Sequence, residues 1–224
     1  MTRLWIVRAG RNGERELDAI SEGRLMPGFG EVGDLTNLKD REAIQAHLAD
    51  AMPTFSENAR RNFAAQLNQF VNVIQKGDLV VLPRKLTNGL AIGEVTGDYK
   101  FDPEGVSKHT RAVEWLNEAV PREAFAQDMR HSFGAFMTVC EIKRNNALER
   151  VKAVLETGQD PGSLLGQQGM VPVAQQAPDD GVDAEEADLD IEEVANQQII
   201  GLIKSQFAGH ALADLVAEIL RTEG

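Results

Sequence analysis

Two apolar runs read as strands, DLVVLP at 78–83 and the one that opens LAIGEVTGDYKF at 90–101, and RKLTNG separates them. Asn88-Gly89 supplies the turn chemistry of a tight hairpin, so the second run folds back antiparallel on the first. Val80, Leu82, Ile92 and Val95 are then expected to face a common interior. The hairpin carries Arg84 and Lys85 at its turn and Tyr99 and Phe101 at its far end. Those two ends are where a ligand contact is expected.

The surrounding segments place the hairpin in an α+β chain. LWIVRAG (4–10), HTRAVEWL (109–116) and AFMTVCEIK (135–143) read as strands. In the second of these, Thr110, Ala112, Glu114 and Leu116 alternate against Arg111, Val113 and Trp115. DREAIQAHLADAMP (40–53) reads as a helix stopped by Pro53, and 57–76 as a longer one. Ser56 is the N-cap of that longer helix, Gly77 its end, and Phe63, Leu67, Phe70 and Ile74 share one face. NALERVKAVLE (146–156) is a further helix. GERELDAISEG reads as a short polar segment, RLMPGFGEVGDLTNL as glycine-rich turns, and PREAFAQDMRHSFG as a loop or short helical turn.

Charge divides the chain. Residues 1–156 carry 21 Lys/Arg and 22 Asp/Glu, a net of −1, whereas residues 157–224 carry 2 and 13, a net of −11. The acidity of the whole, −12, therefore does not exclude a basic face on the first part. From 157 to 193 there are 10 acidic residues, no basic ones and three prolines, the composition of a disordered linker. Residues 194–224 hold two helix-like segments, the second with Leu212, Leu215, Val216, Ile219 and Leu220 on one stripe. The expected domains are thus 1–156, a linker at 157–193, and an incomplete helical piece at 194–224. The linker is read as a solvated spacer; an alternative is that it competes with nucleic acid for a basic face.

Several chemistries are unsupported. GFGEVG (28–33) matches G-x-G-x-x-G, but a dinucleotide site needs a strand before it and a helix opening on it. Here these glycines read as a tight turn. His47, His109, His131 and His210 show no metal-ligand spacing, and Cys140 is the only cysteine. One cysteine excludes an internal disulfide and fits a reducing, cytoplasmic setting. MTRLWIVRAG has no small-residue cleavage site, so no secretory signal is expected. No apolar run approaches the roughly 18 residues of a membrane helix. No catalytic residue and no metal site is predicted in this chain.

Aromatic residues are scarce, with two Trp and one Tyr. Trp5, Phe29, Tyr99 and Trp115 are the candidates for a pocket that stacks on a base taken out of a duplex, Phe29 being the least core-like between its two glycines. Ordinary core packing is the competing reading for each. Arg8, Arg84, Lys85 and Arg111, with Lys100 and Lys108, are candidates for phosphate contacts, against the alternative of a solvated face.

LWIVRAG, GFGEVGDL, GDLVVLPRK, LAIGEVTGDYKF and HTRAVEWL, in this order, resemble the N-terminal domain of Mrr-like restriction endonucleases over residues 3–143. That domain is similar to EVE and PUA-like barrels, relatives of the YTH domain. The family often has tryptophan where this chain has Phe29. FAGHALADLVAEILRTEG resembles the first helix of the Mrr catalytic domain. In that family an Asp and a Glu/Gln-x-Lys follow and bind Mg²⁺ to cut DNA. Those residues are absent here, so the chain is expected not to cleave DNA alone.

The resemblance implies a PUA/EVE-like barrel with flanking helices, and a function as the recognition module of a modification-dependent (type IV) nuclease. The partner implied is DNA carrying a modified base, with no membrane; homo-oligomerisation stays open. Two alternatives stand beside it: a ligand-sensing or protein-interaction module of a defence system, suited to a nearly neutral first part, and an RNA-binding PUA-like domain.

Overall fold

The computed structural model describes residues 2–134, 137–162 and 221. The chain divides into two compact units, residues 1–133 with 137–179, and residues 134–136 with 180–224. All described strands and helices named below belong to the first. The helix-like segments expected at 194–224 and the linker beyond Gly162 lie outside the described residues, Arg221 apart.

The first unit is α+β, a curled mixed sheet forming a half-barrel with five helices among the described residues. Its strands are β1 (Leu4–Val7), β2 (Arg24–Leu25), β3 (Leu79–Pro83), β4 (Gly89–Val95), β5 (Lys100–Phe101), β6 (His109–Pro121) and β7 (Val139–Glu141). The helices are α1 (Glu16–Ser21), α2 (Arg41–Ala51), α3 (Glu57–Asn68), α4 (Gln127–Phe133) and α5 (Ala147–Thr157). Sheet order is β2-β6-β4-β3-β1-β7, with β5 also paired to β6. Among the described strands β1 and β3 run parallel and the other pairings are antiparallel.

The hairpin forms as its sequence requires. Asn88 takes φ +54°, Arg84 N–H donates to Gly89 O at 2.9 Å, and Val81 pairs with Ile92. β3 is buried along its whole length. The ladder between β4 and β6 is irregular. Register shifts flank Ile92, and a β-carbon on Gly93 would stand 2.7 Å from Glu114 O and 2.9 Å from the Trp115 ring. Only glycine permits that approach at an irregular ladder.

Capping fixes two helices. Asp40 Oδ1 accepts from Ala43 N–H at 2.8 Å, and Ser56 Oγ accepts from Ala59 N–H at 3.2 Å. The helix expected over 57–76 is in fact α3 followed by a wide π-type turn at Gln69–Val73. That turn loosens the end of the helix and leaves carbonyls to be satisfied. Its interior partner is Arg111. The short polar segment is instead helix α1, and in the segment at 121–134, read as a loop or short helical turn, the second half is helix α4. Neither has the long apolar period that marks a helix in sequence; both form because tertiary contacts hold them. LAIGEVTGDYKF is two strands rather than one, broken after Val95.

Two buried polar groups tie distant elements. Asp78 accepts from Trp5 Nε1 (2.9 Å), Arg3 N–H (2.9 Å) and Gln75 N–H (3.0 Å). Gln66 Oε1 accepts from Thr138 N–H and Val139 N–H, capping edge strand β7 against α3. The folded region also extends past the expected boundary at 156. Asp160 is fully buried and accepts from Arg150 Nε and Nη2 and from Ala126 N–H.

Candidate functional site

The aromatic candidates converge on one core cluster built from Trp5, Val7, Leu25, Phe70, Ile74, Val80, Val95, Val113 and Val139. Phe29, Tyr99 and Trp115 are partly buried and pack against it. Trp5 is its floor, 0 % exposed and with its indole N–H already committed to Asp78. It cannot be a stacking wall without dismantling the core, which corrects its assignment as a pocket residue.

Phe29 is the least ordinary of the four. The sequence places it between Gly28 and Gly30, and the backbone takes φ +58° at Phe29 and +100° at Gly28. A bulky residue in the left-handed region pays for its Cβ crowding with about 1–2 kcal/mol. Val32 N–H donates to Phe29 O at 3.0 Å, closing the turn. The ring packs edge-on to Phe63 at 5.9 Å, and Phe63 in turn meets Phe55 at 5.6 Å. GFGEVG is therefore a turn, as read from sequence, and no helix opens on it.

A buried histidine holds this turn. His109 is 0 % exposed; its Nε2 lies 2.9 Å from Val32 O and its Nδ1 2.8 Å from Tyr99 Oη. A carbonyl can only accept, so Nε2 carries the proton and Nδ1 accepts from the phenol. Burial pushes the imidazole below its ordinary value, against the opposing bonds to Val32 and Phe29 carbonyls. Burial likewise pushes the Tyr99 phenol up to about 12. Tyr99 stacks on His109 at 5.9 Å, and Phe101 lies tilted against the same ring at 5.4 Å. Composition and metal spacing gave no reason to single out His109. Its parity on β6, in step with Arg111, Val113 and Trp115, is the signal that points inward.

The cationic candidates fare differently. Arg111 is buried, donating from Nε to Phe70 O (2.6 Å), Nη2 to Val71 O (2.9 Å) and Nη1 to Gly97 O (3.1 Å). It closes the carbonyls of the wide turn after α3. Arg8 is also buried, with Nη2 3.4 Å from Phe133 O. Arg84 donates from Nε to Glu16 at 2.8 Å and from Nη1 to Glu118 O at 2.9 Å. Glu16 is itself fully buried and also accepts from Lys85 and Leu86 N–H. Thus Arg8 and Arg111 are structural, and Arg84 and the Lys85 backbone anchor the hairpin turn to α1. Arg8, Arg84 and Arg111, expected to contact phosphates, instead each commit guanidinium nitrogens to partners inside the fold. Lys85 has a half-buried side chain at the same turn, while Lys100 is exposed and Lys108 half-buried.

Two cavities lie away from the aromatic seam. One of about 260 Å³ is lined by Thr2, Leu79, Leu116 and Leu155, and one of about 420 Å³ by Glu42, Ala46, Ala49 and Arg60. Among the described residues, no group of three or more His, Cys, Asp or Glu could hold a metal ion. None of the described helices is long and apolar enough to cross a membrane. Burial pushes the Cys140 thiol up to about 11, which disfavours the thiolate form.

Comparison with curated proteins and with solved structures gives no match. A family model described as a domain of unknown function (DUF8426) matches residues 5–143, from the first core tryptophan through the last strand of the half-barrel. That span exceeds half of the chain, and the chain belongs to this DUF8426 family.

Proposed function

We propose that the first unit is a DNA-recognition module that receives a flipped, modified base, in the manner of the PUA/EVE-like N-terminal domains of Mrr-like, modification-dependent restriction endonucleases. The observation that carries this reading is Phe29, a partly exposed aromatic held at φ +58° in a glycine-flanked turn. Strain of that kind persists where the surrounding structure over-determines it, and such residues cluster at ligand sites. Extruding a base costs a few kcal/mol, and each aromatic contact returns about 1–3 kcal/mol, so two rings are required. Phe29, Tyr99 and Trp115 supply three around one cluster. The three expected phosphate-binding arginines commit donors internally, so affinity rests on the base more than on the backbone.

The test is fluorescence anisotropy of the full chain with one duplex carrying cytosine, 5-methylcytosine, 5-hydroxymethylcytosine or N6-methyladenine at one position, at fixed salt. A preference of about tenfold or more for one form, lost in Phe29→Ala and Tyr99→Ala, supports the reading; about tenfold corresponds to the energy of a single stacking contact. Equal, salt-sensitive binding to all four leaves backbone contact only, and the absence of binding removes the proposal.

A further inference from the structure

Beside the Phe29 turn lies a pair of side chains that none of the sequence motifs singled out. Arg15, which precedes α1, places its guanidinium between two loops. Its Nη2 is 2.9 Å from the position of a β-carbon on Gly10 and 2.5 Å from that on Gly28. Both glycines have positive φ, +93° and +100°, and a β-carbon on Gly28 would press on the guanidinium, one on Gly10 on both Glu14 and the guanidinium. Nε is tethered to Met26 O at 3.4 Å, which leaves the two terminal nitrogens without a protein acceptor among the described residues. Glu14 Oε2 occupies the space over the same Gly10. Its carboxyl is held low by its own and Asn12's backbone N–H groups and by the fields of Arg15 and Lys85. Glu14 also accepts from Asn12 Nδ2 at 3.4 Å, and no direct hydrogen bond joins it to Arg15.

A guanidinium with open donors next to a carboxylate with open lone pairs is poorly suited to a phosphate, which the carboxylate would repel. It is suited to a neutral heterocycle that presents an acceptor beside an N–H donor. The carboxylate further selects an exocyclic amino group, the contact by which acidic side chains read cytosine. We infer that Arg15 and Glu14 are the specificity-determining pair of this site and read the edge of an amino-bearing base: Arg15 donates to its ring nitrogen or carbonyl, and Glu14 accepts from its amino group. This rests on the base-receiving role proposed above, since Gly28 directly precedes the stacking residue Phe29.

The experiment uses the full chain and two matched pairs of single-position duplexes, 5-methylcytosine against thymine and adenine against hypoxanthine, with an abasic duplex as reference. Within each pair an amino group is exchanged for a carbonyl. Wild type is expected to favour the amino-bearing member of the pair it recognises by about tenfold, within the 1–3 kcal/mol of a good base contact. Glu14→Gln, whose amide also donates, should narrow that ratio to about threefold or less. Arg15→Gln and Arg15→Lys should each weaken binding to both members by about fivefold or more, because only the planar fork fits the edge. An unchanged ratio in Glu14→Gln, or wild-type affinity in Arg15→Lys, overturns the inference. Should Phe29→Ala abolish base preference while the Glu14 and Arg15 variants retain it, the inference fails and the stacking site stands. Should wild type bind no duplex better than the abasic one, both fail.

Discussion

Replacing Phe29 by Asn separates a ring kept for the core from a ring kept for a ligand. Asn accepts the left-handed region with little penalty, so the substitution recovers about 1–2 kcal/mol of backbone strain. It also removes a half-buried ring. Full burial of Phe is worth about 1.5–3 kcal/mol, so half burial gives about 1 kcal/mol. The edge-on contact with Phe63 adds about 0.5–1.5 kcal/mol. The two sides nearly cancel, and Phe29→Asn should change unfolding free energy by no more than about 1 kcal/mol. Phe70→Ala is the internal standard. That ring is fully buried in the same cluster, and its loss should cost about 3–5 kcal/mol. Urea unfolding followed by tryptophan fluorescence measures both, with the slope checked for constancy. A Phe29→Asn loss of 3 kcal/mol or more, about that of a core cavity, would show that the ring is a core element and that its conformation is not stored strain.

Arg111→Met keeps the volume but strips three carbonyls of their donor, and should cost about 3 kcal/mol or more in urea unfolding, the exit of α3 losing amide protection first. His109 has a depressed pKa in the fold, so its contribution is full above the unfolded value of 6.5 and is lost as pH falls below it. Stability should therefore decline from about pH 7 to about pH 5, and His109→Gln should flatten that limb in pH-dependent thermal melts. Burial alone would raise the Asp160 carboxyl, but Arg150 and the N–H groups of Ala126 and Gly162 hold it below 3.8. Its contribution is present above that value and lost as pH falls through the lower folded one. Asp160→Asn should cost about 1.5–3 kcal/mol at neutral pH and shrink the acid-unfolding limb, measured by circular dichroism.

Local chemistry determined much of this architecture. Asn88-Gly89 specifies the hairpin, Asp40 and Ser56 start their helices, and alternation along β6 assigns Arg111, Val113 and Trp115 to one face. Each of these acts over a few residues and is readable from a short window. What a short window does not contain is the identity of the neighbour across the fold. Trp5 and Tyr99 are both aromatic residues at strand ends or in strands, yet one meets Asp78 in the core and the other stays half exposed against His109. Arg8, Arg84 and Arg111 look like free cations in sequence and are held by Phe133, Glu16 and the carbonyls after α3. Arg15, in a segment read only as polar, sits in the space that Gly10 and, across the fold, Gly28 leave open. The difference is desolvation. A charge or ring is available to a ligand only if folding has not already surrounded it with partners, and those partners come from residues up to 125 positions away.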